Sequence, residues 1–180
     1  MAKRNTFSED EIYDEKFDIN QVKGGKIIVE NAKDGEVFTT LDGTERTLTD
    51  DMLLIKDAER GIAIAGVMGG LNSEIEEDTK TIIVESANFA GSSVRTTSKK
   101  LGLRTEASAR FEKGIDPNLC EAAADRVCRL IELTGAGKVC KGSVDNYPVP
   151  EEAKTIDIRV DRINRVLGIE LERQEMVDIL

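Results

Sequence analysis

The sequence predicts an α+β protein in which short strands come first and helices follow. Three observations support this. Between Lys26 and Ser86, short β-rich runs alternate with turn signals. After Glu85 the punctuation becomes helical, with capping residues, apolar positions at helical spacing and terminating glycines. The composition, 39% hydrophobic and 33% charged over 180 residues, is that of an ordinary globular chain, long enough to bury a core without metals or disulfides.

Taken in order, KIIVEN from Lys26, VFTTL from Val37, TERTL from Thr44, DMLLI from Asp51 and GIAIAG from Gly61 read as a meander of strands. Asp42-Gly43 is a dipeptide that accepts positive φ, and it predicts a two-residue hairpin turn. TIIVES, residues 81–86, with Ile82, Ile83 and Val84 in succession, is predicted to sit centrally in a sheet. Next, Ser92 or Ser93 can cap a short helix that carries Val94, Thr97 and Leu101 on one face and ends at Gly102. A longer helix has Asp116 as its N-cap, Pro117 at its first position and Ala123, Val127, Leu130 and Ile131 at helical spacing, with Gly135 stopping it.

The stretch Asp145 to Ala153, with Pro148, Pro150 and two adjacent glutamates, reads as a linker. Beyond it TIDIRV is predicted as a strand and DRINRVLG as a helix closed by Gly168. A second helix begins near Glu172 and is still running at Leu180, the pattern expected of a piece of a longer polypeptide. The expected division is residues 1–16, a central domain over 17–147, a linker at 148–153 and the start of a further module over 154–180.

Composition narrows the chemistry. Histidine is absent, which removes imidazole as general base, metal ligand or switch near neutral pH. Cys120, Cys128 and Cys140 make neither a C-x-x-C pair nor a zinc-ligand spacing, so no metal site is expected and the cysteines are assigned to packing. No apolar run has the length to span a bilayer, and the two basic residues near the N-terminus precede no apolar stretch, so a cytoplasmic protein with no membrane partner is expected.

The net charge of −10 is unevenly distributed. Residues 95–113 hold Arg95, Lys99, Lys100, Arg104, Arg110 and Lys113 against Glu106 and Glu112, a local +4 on a body of −14. Such a patch suits phosphate binding, and an ordinary solvated helix face explains it equally well.

Two familiar motifs fail. GAGKV at Gly135 has Glu132 where a phosphate-binding loop needs glycine and Val139 where it needs a hydroxyl, so a helix C-cap is the better reading. Gly66-Val67-Met68-Gly69-Gly70 lacks the dinucleotide-binding spacing, but its glycines imply close approach of backbone to another segment or to a ligand.

The stretches IAGVMGGLNSEIEEDTKTIIVESANF and SSVRTTSKKLGLRTEASARFEKGIDP, flanked by KGGKIIVENAKDGEVFTTLDGTERTLTDDMLLI upstream and AADR downstream, closely resemble the editing domain of the phenylalanyl-tRNA synthetase β subunit family, with likeness running from about Phe17 to Leu180. The resemblance implies an α+β fold with β-sandwich-like sheets and packed helices. It also implies hydrolysis of tyrosine misattached to the phenylalanine tRNA, with the family's pocket positions falling on Gly69, Glu85, Thr105 and Ala107. Implied partners are the acceptor end of tRNA(Phe) and the α subunit of an α2β2 enzyme, but not DNA. ATP and magnesium belong to the complete ligase and no cofactor to this stretch.

The residue types suit the implied task. Glu85 can accept a hydrogen bond from a tyrosine phenol, Gly69 can offer its backbone N–H, Ala107 leaves room for a ring, and Thr105 supplies a hydroxyl that orients substrate or water, or else caps the helix after it. No protein nucleophile is required, because an aminoacyl ester is already activated toward water. Arg95, Lys99, Lys100 and Arg104 are the candidate tRNA contacts. The chain departs from the family pattern at Glu15, where a histidine is expected before Phe-Asp. Two alternatives remain beside the editing domain: a non-catalytic module that binds tyrosine or the tRNA end, and a scaffold within the synthetase.

Overall fold

The computed structural model describes residues 16–152 and 155–179. The chain divides into two compact units, the first ending at Val149 and the second starting at Pro150, within the residues read as a linker. The first unit is α+β, as expected. A four-stranded antiparallel sheet has the order β2 (Ile28–Asn31), β5 (Leu53–Lys56), β6 (Gly61–Ile64) and β7 (Met68–Gly69). Two smaller antiparallel pairs accompany it, β1 (Lys16–Asp18) with β8 (Ile82–Val84), and β3 (Val37–Thr39) with β4 (Glu45–Thr47).

The central strand is β6, not the run TIIVES. All four residues of β6 are buried, with Ile62, Ala63 and Ile64 fully so, because it pairs with β5 on one edge and β7 on the other. Three successive β-branched residues did not decide position. β8 pairs only with β1 among the described residues, setting Ile83 opposite Phe17, and its three residues stay half-buried. Leu48, Leu54, Ile62 and Ile64 are completely withdrawn from water, and burial of each such side chain stabilises the fold by about 1.5–3 kcal/mol.

The β3–β4 connection also differs from the two-residue turn expected. The Thr40 N–H donates to the Thr44 carbonyl at 3.1 Å and the Gly43 N–H to the Thr40 carbonyl at 2.8 Å, which leaves three residues in the loop. Only Gly43 has positive φ, +74°, so Asp42 escapes the left-handed region and its carboxylate is used for bonding instead. Asp42 Oδ1 accepts from the Thr40 hydroxyl at 2.6 Å and the Thr44 N–H at 3.1 Å, and Oδ2 accepts from Arg46 Nη2 at 2.8 Å.

The helices pack on the sheet through aromatic and aliphatic contacts. Helix α1 (Gly91–Leu101) buries Val94, Thr97 and Ser98 and ends at Gly102, while its N-cap is Ala90, with no side-chain capping bond. Ser92 and Ser93 therefore lie inside the first turn rather than at the cap, and the Val94 N–H returns to the Ala90 carbonyl at 3.1 Å. Helix α2 (Glu106–Phe111) follows, and its Phe111 ring meets Phe89 at a centroid distance of 5.2 Å, tilted by 56°. Asp116 caps a short 3-10 turn that starts at Pro117 and runs into helix α3 (Cys120–Leu133), which buries Cys120, Ala123, Ala124 and Val127. Leu130 and Ile131 are half-buried, as is Cys128, while Cys140 is exposed.

In the second unit TIDIRV forms no strand: residues 155–159 have no regular structure and Val160 already belongs to helix α4 (Val160–Leu167). An alternating pattern becomes a strand only when another strand pairs with it. Gly168 ends α4 as expected, and α5 spans Arg173–Ile179. Asn164 joins them, accepting from the Leu171 N–H at 3.1 Å and donating to the Leu171 carbonyl at 3.0 Å. No described helix is long and apolar enough to cross a membrane.

The Thr40 hydroxyl, the Thr44 N–H and Arg46 together lower the Asp42 pKa from 3.8 to about 2, the Thr40 bond contributing most. Because the native-state value is depressed, the stabilisation is complete above pH 3.8 and is lost as pH falls through about 2. In acid denaturation, the stability gap between the unaltered chain and Asp42→Asn should stay constant down to about pH 4 and narrow from there to pH 2. A gap that does not change over that interval would contradict the assignment.

Candidate functional site

The turn from β6 into β7 forms one wall. The Val67 N–H closes it by donating to the Ile64 carbonyl at 2.9 Å, and Gly66 sits within it at a φ of +67°. A Cβ on Gly66 would lie 3.0 Å from both Phe89 and Val94 and 3.3 Å from Phe111, so the backbone here lies directly against the helices. The glycine run thus serves, at Gly66, the close approach of one chain segment to another. Gly69 is buried opposite Ala63 in the ladder, and its carbonyl accepts from the Leu41 N–H at 3.0 Å.

Thr105 ties this wall to the helices. As the N-cap of α2, its hydroxyl accepts from the Ser108 N–H at 3.1 Å and donates to the Val67 carbonyl at 2.7 Å. Ser108 Oγ reciprocates by accepting from the Thr105 N–H at 2.9 Å, which completes a capping box. The single hydroxyl proton of Thr105 is therefore committed to the sheet turn. Toward any substrate Thr105 can only accept, through its remaining lone pair.

Glu85 follows β8 directly and is half-buried, with Oε2 shielded from solvent. Its neighbour Ser86 is buried and donates to the Cys120 carbonyl at 3.1 Å, which anchors the segment to the start of α3. Met68, Ala87 and Ala107 are all half-buried and pack on the same core, so the segments carrying Gly69, Glu85 and Ala107 converge on it. A groove of about 350 Å³ bordered by Glu36, Phe38, Arg60 and Asn72 includes none of the four predicted positions. Glu15, where a family histidine is expected, lies outside the described residues.

The basic patch is thinner than its sequence. Lys100 Nζ contacts both carboxylate oxygens of Asp51 at 2.8 Å, Arg104 lies 3.5 Å from Glu112, and Arg110 lies 4.0 Å from Glu106. Arg95 and Lys99, one helical turn apart on α1, are exposed. Lys99 and Lys100 also occupy the last turn of α1, where positive charge complements the helix dipole whether or not a ligand binds. Among the described residues no group of three or more acidic, cysteine or histidine side chains is arranged to hold a metal ion.

Sequence reasoning missed the Arg46 guanidinium, which bonds to Thr40, Asp42 and the Leu101 carbonyl. Its available signal was the acid of the Asp42-Gly43 turn with a base four residues further on. Of the two uses expected of the Thr105 hydroxyl, the structure shows the helix cap, with Ser108 in place of the usual glutamate or glutamine of a capping box.

Comparison with known proteins adds an independent finding. Residues 15–135 match the family model described as the B3/4 domain. The chain is 49% identical over 164 residues to the phenylalanine-tRNA ligase beta subunit of Clostridium tetani, covering 91% of this chain and 21% of that protein. It is 50% identical over 163 residues to that of Geobacter metallireducens and 43% identical over 163 residues to that of Bacillus subtilis, covering in each case 91% of this chain and 20% of the relative. The chain thus spans about a fifth of the length of the curated relatives it matches.

Thr105→Val should lower stability to urea by about 1–3 kcal/mol, because it removes the cap and leaves the Val67 carbonyl without its donor. Thr105→Ser, which keeps the hydroxyl, should stay close to the unaltered chain. Equal stability of the valine variant would show that the hydroxyl does not hold the two walls together.

Proposed function

The chain belongs to the B3/4 domain family, and on that premise we propose that it is the tRNA-editing domain of a phenylalanine-tRNA ligase β subunit, hydrolysing tyrosine from mischarged tRNA(Phe). The observation that carries this reading is Glu85, a half-buried acid at the end of an apolar strand with one oxygen withdrawn from water. A phenol brings a donor to such a carboxylate. A phenylalanine ring brings none, and covering the carboxylate with it costs desolvation without a compensating bond.

In the proposed reaction the aminoacyl ester lies between the Gly69 wall and α2, with the ring beside Ala107. A water oxygen attacks the ester carbonyl carbon, the bond from that carbon to the ribose oxygen breaks, and the ribose oxygen takes up a proton. The products are tyrosine and uncharged tRNA. Positioning supplies much of the acceleration, and backbone N–H groups stabilise the developing oxyanion. Thr105 supports this arrangement by fixing α2 against the Val67 turn, and its free lone pair accepts from the attacking water. No ATP or metal enters this step, because the ester is already activated; aminoacylation is left to the complete enzyme with its α subunit.

The exposed pair Arg95 and Lys99, with Arg104 beside the entrance to α2, is the proposed contact for the acceptor-end phosphates. Lys100 contributes less, since Asp51 already neutralises it. Such contacts set affinity and its salt dependence without reading sequence.

Hydrolysis of Tyr-tRNA(Phe) and Phe-tRNA(Phe) tests the reading. The unaltered chain should prefer the tyrosyl ester, and Glu85→Ala should reduce that preference by about 10-fold or more. A chain that binds tyrosine but hydrolyses neither ester would be a binding module, and one that does neither would be a scaffold. Arg104→Glu should weaken tRNA binding at low salt and flatten its salt dependence. Unchanged affinity there would remove the α2 entrance from the tRNA path.

A further inference from the structure

The β3–β4 hairpin bonds to segments on both sides of the candidate site. On one side the Leu41 N–H donates to the Gly69 carbonyl at 3.0 Å, and Thr40 forms a β-bridge with Gly70. On the other, Arg46 Nη1 donates to the Leu101 carbonyl at 3.2 Å, at the last residue of α1. The chain between Leu101 and Thr105 has little slack. The Leu103 N–H donates to the Ser98 carbonyl at 2.9 Å, and the Leu103 carbonyl accepts from Ser98 Oγ at 2.7 Å.

Arg46 is held so that it cannot swing. Its side chain is only 14% exposed, and its three nitrogens serve three acceptors. Nε donates to Thr40 Oγ1 at 3.0 Å and Nη2 to Asp42 Oδ2 at 2.8 Å, while Nη1 reaches Leu101. The Thr40 hydroxyl donates in turn to Asp42 Oδ1 at 2.6 Å, which closes a ring of hydrogen bonds with Thr40 fully buried. A planar guanidinium presents donors in three fixed directions; a lysine ammonium at the end of a flexible stem cannot meet all three acceptors at once.

We infer that Arg46 is a positioning residue that sets the spacing between the Gly69 strand and the Thr105 entrance to α2, and thereby the geometry of ester hydrolysis between them. It touches no substrate. Its effect on rate rests on the editing reading; its effect on the two walls does not. Misplacing reacting groups by an ångström can cost on the order of 10²-fold in rate, so loss of one arm of the fork is sufficient to be read in kcat.

The test compares the unaltered chain with Arg46→Lys and the conservative Thr40→Ser. Two readouts are needed: hydrolysis of Tyr-tRNA(Phe), and amide hydrogen exchange over residues 67–70 and 101–106. Arg46→Lys should lower kcat by about 10-fold or more with KM changed by less than about 2-fold. Its exchange should accelerate in both segments together while β5 and β6 stay protected, and Thr40→Ser should restrict both effects because it keeps the hydroxyl. A folded Arg46→Lys chain with unchanged kcat and exchange would overturn the inference. So would acceleration in one segment alone, or across β5 and β6 as well, which is general loosening. If the unaltered chain hydrolyses no ester, the editing reading falls and the role of Arg46 in hydrolysis falls with it; unequal exchange in the two segments overturns the positioning alone.

Discussion

The hydrogen bond from the Thr105 hydroxyl to the Val67 carbonyl, 2.7 Å long, joins the β6–β7 turn of the sheet to the start of α2. Its neighbourhood is built around that contact. Gly66 allows the β6–β7 turn to lie against Phe89, Val94 and Phe111, where any side chain would intrude. The capping box with Ser108 starts α2 at a fixed point, and α2 places Ala107 on the core. The bond adds a fixed direction to the apolar contact that Phe111 of α2 already makes with this turn. The same bond commits the only proton of the Thr105 hydroxyl, which would offer a ligand only an acceptor.

The second organising feature is electrostatic. Arg46 and Asp42 are opposite charges in one short hairpin, Arg46 largely buried and Asp42 partly open to solvent. Here the pair is tied to a buried threonine and to the end of α1, so its consequence is geometric: the hairpin cannot shift without shifting Gly69 and Leu101. Lys100 with Asp51 and Arg104 with Glu112 are more exposed and have no such reach into the core. Arg95 and Lys99, by contrast, are exposed on α1.

Much of the architecture was legible from residues alone, because strand runs, terminating glycines and the Asp116-Pro117 start all express local preferences. What was not legible depended on pairing. TIIVES carries three large β-branched residues in a row, yet GIAIAG is central because strands flank it on both edges, while TIIVES meets a single partner more than sixty residues away in sequence. TIDIRV alternates well and still makes no strand, having none to pair with among the described residues. At the site, the types at Gly69, Glu85, Thr105 and Ala107 followed from resemblance. That Thr105 spends its proton on Val67, and that Arg46 reaches Leu101, could be found only once segments far apart in sequence were brought together.

The most direct measurement is a crystal structure of the chain bound to a non-hydrolysable tyrosyl-adenosine, in which an amide replaces the ester. The account predicts the phenol oxygen within hydrogen-bonding distance of the Glu85 carboxylate, the ring beside Ala107 and the amide carbonyl facing the Gly69 strand. A ligand seated elsewhere, such as the groove bordered by Phe38 and Asn72, or one whose phenol points to solvent, would contradict it.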